Sequence, residues 1–450
     1  MKNNKALIIV AVVLLNVLVV FMIGQSLLGK TSQYDKTLSE ARTLAEKELC
    51  SKSIAKYNDA IMIKDTLKVR LEMLDVYEKG IDIGEFTNTY DIFTSVTNMV
   101  DEYREDKLAY EEACELFVKY GKYEECSNIL MQARDLNVTS YKIEEYRSQV
   151  RYQYTKYFAM YTDVLPVFNG MYTVKTEDGY TFLNDEGSPD FKGSFISASS
   201  FSEGYAFVKS SHPDGTDRSI VINKEGERQT YLDGVEYSSG VGKAKDKKGN
   251  DIYLLSCKIG DKYKYFDING KEAFGEYAFA GRFRNNVAAV MESEGKWELI
   301  DGTGKAINDT TFSDIVLNEF DECAPKGFIF AKVDGKYHLY DLKGTQIGDL
   351  SCDGAKAFVD EYAAFKSGDL WGFVDTKGNI VIEPVYENAK SFSNSMGAIY
   401  AGGSWKFINP EGEIVIKESF EDVDYLSDKG ICFVKTKGYW SYLKFYYTGN

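Results

Sequence analysis

The sequence predicts a multidomain protein with α and all-β parts: a transmembrane helix, a region of α-helical hairpins, and a β-propeller of about seven blades. Three observations support this prediction. An apolar run lies near the N-terminus, and apolar residues then recur every three to four positions from about residue 34 to residue 158. Beyond about residue 165, short strands separated by glycine turns recur as a repeating unit.

Residues 6–28 form the predicted transmembrane signal anchor. The run from 6 to 24 is apolar except for Asn16, and about 20 such residues span the hydrocarbon core of a bilayer. Lys2 and Lys5 precede the run without an acidic residue, which places residues 1–5 in the cytoplasm and the bulk of the chain outside it. A cleaved signal peptide is the alternative, although its apolar region is usually only about 7 to 15 residues long.

The end of this run also fits a phosphate-binding loop. Residues 24–31 match the pattern Gly-x-x-x-x-Gly-Lys-Thr letter for letter. A nucleotide site would need one buried strand before the loop and alternating strands and helices after it, and neither pattern is present. We therefore interpret the loop as the end of the membrane helix.

Residues 32–160 form the predicted helical region, with hairpins of 34–49 with 51–64, 66–79 with 83–101, and 104–119 with 122–135. The last hairpin resembles a tetratricopeptide repeat, with Gly121 at the turn and Cys126 at a small-residue position. A coiled or irregular helical stalk is the alternative. Cys114 and Cys126 flank the turn at similar distances, so they form either a disulfide or two buried thiols.

A tight turn that ends in glycine recurs through residues 165–450. An Asp or Asn begins each turn, where its side chain can accept a backbone hydrogen bond, and Gly ends it, where φ is positive. Successive glycines are 34 to 44 residues apart, a period typical of propellers and solenoids. These glycines are Gly187, Gly226, Gly270, Gly304, Gly344, Gly378 and Gly412.

An aromatic residue stands four positions before the Asp or Asn in nearly every unit. It is normally core between units, because a residue placed identically in each repeat is usually buried, although a ligand-stacking role is the alternative. The second unit departs from the pattern, with Ser219 at this position and an insertion around residues 240–250. The aromatic residues are Tyr180, Tyr263, Trp297, Tyr337, Trp371 and Trp405, and Trp440 takes the same place in its own strand, four positions before Lys444.

Residues 369–402 resemble the WG repeat family. The segment Trp371–Asp375, the turn at Lys377 and Gly378, and Phe392 with Ser393 match the family pattern, and the resemblance extends over about 165–447. It implies a bacterial protein whose repeats bind or scaffold, and it seldom accompanies a defined reaction.

The ends of the repeat region indicate how it closes. Residues 171–175 are typical of a closing fourth strand with no unit before it, and residues 439–443 of a first strand with no unit after it. Complementary partial units favour a closed propeller over an open β-solenoid or a pair of smaller sheets.

No motif for chemistry accompanies the repeats, so we predict no catalytic, cofactor or metal site and leave the binding residues and the oligomeric state open. The seven cysteines lack CxxC spacing, and neither His212 nor His338 has a neighbouring nucleophile in a known motif. The net charge of −16 disfavours nucleic acid as a partner, because phosphate contacts need a basic surface.

We therefore predict a non-enzymatic, membrane-anchored protein of the bacterial cell envelope that binds or scaffolds a protein, a peptide or a wall glycan. An envelope hydrolase or lyase with a carboxylate site in the propeller channel is the alternative, and acidic side chains converging there would favour it. A membrane adaptor facing the cytoplasm is a second alternative, because the charge difference across the anchor is one lysine.

Overall fold

A computed structural model describes residues 29–166, 171–190 and 193–446. The chain divides into two compact units, one ending at Val150 and the other beginning at Arg151. The first is helical and the second is built from strands. A helical N-terminal region followed by a C-terminal repeat of β-sheets confirms the order of the predicted parts.

The helices of the first unit are α1 (helical from the first described residue, 29, to 46), α2 (Cys50–Ile63), α3 (Leu67–Asp82), α4 (Tyr90–Glu102), α5 (Lys107–Lys119), α6 (Tyr123–Asp135) and α7 (Tyr141–Val150). From α2 onward, consecutive helices pack against each other, and α5 also contacts α7. Thr66 and Asp106 cap two of the helices by accepting a hydrogen bond from the backbone N–H of Val69 and Leu108 respectively. Gly121 ends α5 with a φ of +69°.

The three predicted hairpins correspond to α1–α2, α3–α4 and α5–α6. Two details differ: residues 83–89 form a loop and not the start of a helix, and α7 is an additional helix. Cys114 and Cys126 are both buried free thiols, and the Sγ of Cys126 lies 4.0 Å from the carbonyl oxygen of Cys114. The disulfide alternative was therefore wrong.

The predicted anchor at 6–28 lies outside the described residues, as does the phosphate-loop pattern up to residue 28. Within residues 29–166, 171–190 and 193–446, no helix is both long and apolar enough to cross a membrane.

The described part of the second unit forms eight antiparallel sheets of three or four strands. They are numbered in chain order, and each begins with its first strand. Sheet 1 contains β2 (Asp163–Val164), β3 (Tyr172–Thr176) and β4 (Gly179–Leu183); sheet 2, β5 (Ser197–Ala198), β6 (Tyr205–Ser211), β7 (Asp217–Asn223) and β8 (Arg228–Tyr231); sheet 3, β9 (Tyr237–Lys245), β10 (Asp251–Ile259), β11 (Lys262–Asp267) and β12 (Glu272–Tyr277); sheet 4, β13 (Phe279–Ala280), β14 (Ala288–Ser293) and β15 (Lys296–Ile300).

The other four sheets follow the same plan. Sheet 5 contains β16 (Asp314–Ile315), β17 (Phe328–Val333) and β18 (Lys336–Asp341); sheet 6, β19 (Gly354–Ala355), β20 (Tyr362–Ser367), β21 (Leu370–Asp375) and β22 (Ile380–Tyr386); sheet 7, β23 (Asn388–Ser393), β24 (Met396–Ala401) and β25 (Ser404–Ile408); sheet 8, β26 (Asp422–Val423), β27 (Ile431–Thr436), β28 (Tyr439–Phe445) and, outermost, β1 (Tyr154–Tyr161).

The predicted glycine turns are confirmed. In sheet 6, the Oδ1 of Asp375 accepts hydrogen bonds from the backbone N–H of Lys377 at 2.9 Å and of Asn379 at 2.8 Å. Gly378 completes the turn with a φ of +83°, which a residue with a Cβ rarely adopts. Turn glycines also lie close to the preceding sheet, as Gly270, Gly304, Gly344, Gly378 and Gly412 do; a Cβ on Gly304, for example, would stand 2.8 Å from the ring of Phe274.

The aromatic positions pack between neighbouring sheets, as predicted. Trp405 is 8 % exposed in a cluster that combines sheets 7 and 8, and Trp440 is 8 % exposed in one that combines sheets 8 and 1. Trp297 and Trp371 are half-buried against equivalent clusters. In sheet 2, Ser219 replaces the aromatic residue, and its Oγ donates a hydrogen bond to the carbonyl of Val235.

Sheet 8 joins the two ends of the unit, but not through the strands that the sequence suggested. β1 pairs with β28, with Thr155 opposite Lys444, whereas residues 171–175 lie in sheet 1. The prediction that 151–160 is helical was wrong: Tyr154–Tyr161 is rich in Tyr, Phe and Thr, which favour strands. Up to residue 446, no turn glycine follows β28, so the seven turn glycines belong to the other seven sheets.

Sheets 8 and 1 pack against each other as successive sheets do elsewhere. Tyr172 and Val174 of sheet 1 share a buried cluster with Phe433 and Trp440 of sheet 8. A Cβ on Gly187 would stand 2.1 Å from the hydroxyl of Tyr442 in β28, which repeats the contact that turn glycines such as Gly304 make with the preceding sheet. The unit is thus β-propeller-like.

Candidate functional site

The segments that join the first strand of a sheet to its second strand are here called the inner turns. In sheets 2, 4, 5, 6 and 8 the inner turn begins with a backbone N–H that donates to the second strand, at Ser199, Gly281, Val316, Lys356 and Asp424 respectively. The next residue is therefore structurally equivalent in all five sheets. It is Ser200, Leu317 and Ala357 in three of them, but Arg282 and Tyr425 in the other two.

Arg282 is fully buried and ties sheets 3, 4 and 5 together. Its Nε and Nη2 donate to the Oε1 of Glu322 at 3.2 and 2.9 Å, and its Nη1 donates to the carbonyl of Ser239 at 3.3 Å. The guanidinium also stacks on the ring of Phe320, 4.7 Å from its centre. A buried ion pair of this kind adds little net stability, but loss of one partner costs several kcal/mol, about 3 to 5.

Two tyrosines form hydrogen bonds between sheets that are not neighbours. The hydroxyl of Tyr425 in sheet 8 donates to the Oε1 of Glu319 in sheet 5 at 3.1 Å. The hydroxyl of Tyr237 in sheet 3 donates to the Oδ2 of Asp321, also in sheet 5, at 3.1 Å. Burial raises the pKa of both phenols, so they remain hydrogen-bond donors at neutral pH. The inner turns of sheets 5 and 8 therefore meet in one central cluster, which Tyr237 of β9 joins.

A cavity of about 300 Å³ opens where the inner turns of sheets 4 to 8 meet. This volume is at the small end of the range for ligand sites. Its wall contains Arg284 from sheet 4; Asn318, Glu319, Phe320, Glu322, Pro325 and Lys326 from sheet 5; Phe358, Val359 and Asp360 from sheet 6; Ser393 and Asn394 from sheet 7; and Tyr425, Leu426, Ser427 and Asp428 from sheet 8.

Acidic side chains converge on this cavity, and two of them form ion pairs with basic side chains. Glu322 is bound by Arg282, and Asp360 accepts from the Nζ of Lys326 at 3.2 Å. Glu319 accepts from Tyr425.

Asp424, at the start of the inner turn of sheet 8, is 6 % exposed. Its Oδ2 has no hydrogen-bond partner among the described residues. Burial raises the pKa of this carboxyl to about 6, although Lys390 opposes the rise. Burial also raises the pKa of Asp321, against the opposing effects of Tyr237 and Arg282.

The residues singled out in the sequence do not assemble into a chemical site. His212 lies 3.1 Å from the carboxylate of Asp214 in a hairpin loop, and the Nδ1 of His338 lies 2.9 Å from the carbonyl of Leu350. No group of three or more His, Cys, Asp or Glu within the described ranges is placed to hold a metal ion. The central cluster was missed in the sequence, although Arg282 stands out once the inner turns are aligned.

These features define a β-propeller-like repeat protein whose inner turns carry a polar central cluster. Three segments, 265–297, 371–405 and 407–440, match the family model described as WG containing repeat. The chain thus carries WG repeats in its strand unit. No curated protein matches the chain in sequence.

Solved structures resemble the strand unit at the level of the fold. BamB from Moraxella catarrhalis is 12% identical, with a TM-score of 0.44 over 65% of this chain and 99% of that chain. The WD40 domain of SCAP from fission yeast is 10% identical, with a TM-score of 0.39 over 64% of this chain and 95% of that chain. Both TM-scores are below 0.5, so no structural or functional detail is carried over from them.

Proposed function

We propose that this chain is a membrane-anchored binding or scaffolding protein of the bacterial cell envelope, and that a protein, a peptide or a wall glycan binds at the central cavity. One observation carries this proposal: the inner turns of five sheets meet at a single cavity whose wall is both polar and aromatic. Repeat folds commonly present such surfaces to a partner.

We also infer that the eight sheets form a closed ring. The pairing of β1 with β28 and the contact of Gly187 with Tyr442 support this inference, because they link the last sheet to the first. A closed ring fixes the inner turns around one axis and so holds the cavity in shape without a ligand.

The location rests on the N-terminal sequence alone. The apolar run at 6–28 has the length of a membrane span, and Lys2 and Lys5 precede it. The residues after the anchor are therefore proposed to lie outside the cytoplasm, with the helical unit as a tetratricopeptide-like binding region. Protease added to intact cells tests this location, because residues 31–450 should then be digested from outside. Protection until the membrane is broken would instead favour the cytoplasmic adaptor.

The enzyme alternative keeps one observation in its favour. Glu319, Glu322, Asp360 and Asp428 all line the cavity, and a hydrolase or lyase uses carboxylates whose pKa values differ. Glu322 and Asp360 are each engaged by a basic side chain, which suits a fixed wall better than proton transfer.

Position-specific photocrosslinking in cells tests the binding proposal. Asp360 and Asp369 are a matched pair, because they lie at opposite ends of β20: Asp360 on an inner turn and Asp369 on the hairpin that follows. A photoreactive side chain at 360 should capture a partner, and one at 369 should not. Equal capture from both positions, or none from 360, would overturn the proposal.

The same experiment separates binding from catalysis. If the chain is an enzyme, the partner captured at position 360 is altered by the wild-type chain and intact in the Glu319→Gln variant. A binding protein leaves the partner unaltered in both.

A further inference from the structure

We propose that the central cavity recognises a cationic group, namely the side chain of a lysine or arginine in a partner polypeptide. This inference rests on the proposed function, since it names what the cavity of a binding protein would hold. The cavity of about 300 Å³ is large enough for one long side chain and too small for a folded element.

Around the cavity, carboxylates outnumber basic side chains. Each basic side chain there faces an acidic one: Arg282 and Glu322 at 2.9 Å, Lys326 and Asp360 at 3.2 Å, Arg284 and Glu203 at 3.9 Å, and Lys390 and Asp422 at 3.5 Å. Glu319, Asp424 and Asp428 have no ion pair with a described Lys, Arg or His. Lys429 follows Asp428 in the chain, but it is exposed and does not line the cavity.

Asp424, which directly precedes the cavity-lining Tyr425 but does not itself line the cavity, supplies a second indication. Its side chain is more than nine-tenths buried, and its Oδ2 has no donor among the described residues. Its carboxyl interacts electrostatically with Glu319, which lines the cavity, and with Lys390 and Asp422. A buried carboxylate oxygen without a donor is costly, and an ammonium or guanidinium group entering beside Glu319 would reduce that cost.

The wall also suits the aliphatic and charged parts of such a side chain. Tyr425, Phe320 and Phe358 contribute aromatic surface to the cavity. Aromatic faces attract a cation and also pack against the methylene groups that carry it. Carboxylates combined with aromatic rings therefore favour a lysine or arginine over an acidic or a neutral polar side chain.

Fluorescence anisotropy with four labelled nonapeptides tests this proposal on the full-length protein in neutral detergent. The peptides alternate Gly and Ser and carry Lys, Arg, Gln or Glu at the centre. We expect the Lys and Arg peptides to bind at least about tenfold more tightly than the Gln peptide, a difference of ~1.4 kcal/mol. The Glu peptide should bind most weakly.

Two variants assign the effect to the cavity. Glu319 is exposed, so Glu319→Gln should fold and should reduce the affinity for the Lys peptide to that for the Gln peptide. Asp369→Asn removes an exposed carboxylate at the opposite end of β20 and should change nothing. Affinity for the Lys peptide should also fall as the pH drops from 7.5 to 5, because burial raises the pKa of Asp424 to about 6 and this carboxyl then takes up a proton.

Equal binding of the Lys and Gln peptides, preference for the Glu peptide, or no binding of any peptide at millimolar concentration would overturn the cationic ligand. Capture of a partner from position 360 would then still support the proposed binding function. Failure of the cationic ligand can therefore be distinguished from failure of the binding function.

Discussion

Replacing Asp424 with asparagine should change how the stability of the strand unit depends on pH. The carboxyl is almost completely buried and its Oδ2 has no donor among the described residues, so ionisation is unfavourable in the folded state. Asparagine has nearly the same shape and cannot ionise. The difference between wild type and Asp424→Asn therefore isolates the proton on this one side chain.

The size of this change in unfolding free energy follows from the pKa of Asp424. Burial raises the pKa of Asp424 to about 6 from its ordinary value of 3.8, which corresponds to ~3 kcal/mol. Because the folded state holds its proton more tightly than the unfolded state, this stability is fully present below about pH 4 and is lost as the pH rises through about 6. Relative to the variant, the wild type should lose ~2.4 kcal/mol of unfolding free energy between pH 4 and pH 7, most of the total.

Urea unfolding followed by tryptophan fluorescence measures this change. All four tryptophans lie in the strand unit, so their emission does not report the helical unit. A difference between wild type and variant that stays constant from pH 4 to pH 7 would refute the reasoning, whatever its absolute size, because Asp424 would then have an ordinary pKa.

Two further predictions concern the core and the central cluster. Trp405→Ala should lower the free energy of unfolding by ~3 to 5 kcal/mol, because Trp405 is 8 % exposed between two sheets, whereas Trp371→Ala should cost clearly less. Equal urea midpoints for both variants and wild type would contradict the core assignment. Arg282→Ala should cost ~3 to 5 kcal/mol by leaving Glu322 buried without its partner, and Arg282→Ala/Glu322→Gln should recover part of this in the same assay. A double variant no more stable than the single would contradict that explanation.

The local features of the repeat could be predicted from the sequence because their causes are local. The turn at Asp375 needs a side-chain acceptor and a residue with positive φ three positions later, and both can be recognised in a short segment. The buried tryptophans followed from their identical placement in successive units. The boundaries of α2 to α6 were predicted within three residues except at 83–89, where a loop separates α3 from α4, whereas α7 was not predicted.

The remaining features depend on partners far away along the chain. Tyr154–Tyr161 is a strand because it pairs with β28, nearly three hundred residues later, and nothing nearby marks it as part of the repeat. The same holds for the central cluster. Tyr425 meets Glu319 across 106 residues, and a contact of that length leaves no periodic signal. The only local sign was a large polar residue at a position where some other sheets carry serine or alanine.

A disulfide between the two ends of the strand unit tests the central claim, that sheet 8 closes the ring and thereby forms the cavity. Thr155 and Lys444 are direct partners on β1 and β28, and all seven native cysteines are buried. Mild oxidation of Thr155→Cys/Lys444→Cys should give a quantitative intramolecular disulfide. The control Thr155→Cys/Lys437→Cys, with its second cysteine on the hairpin turn of sheet 8, should remain reduced. Free thiols in the first variant, or equal oxidation of both, would contradict the closed ring.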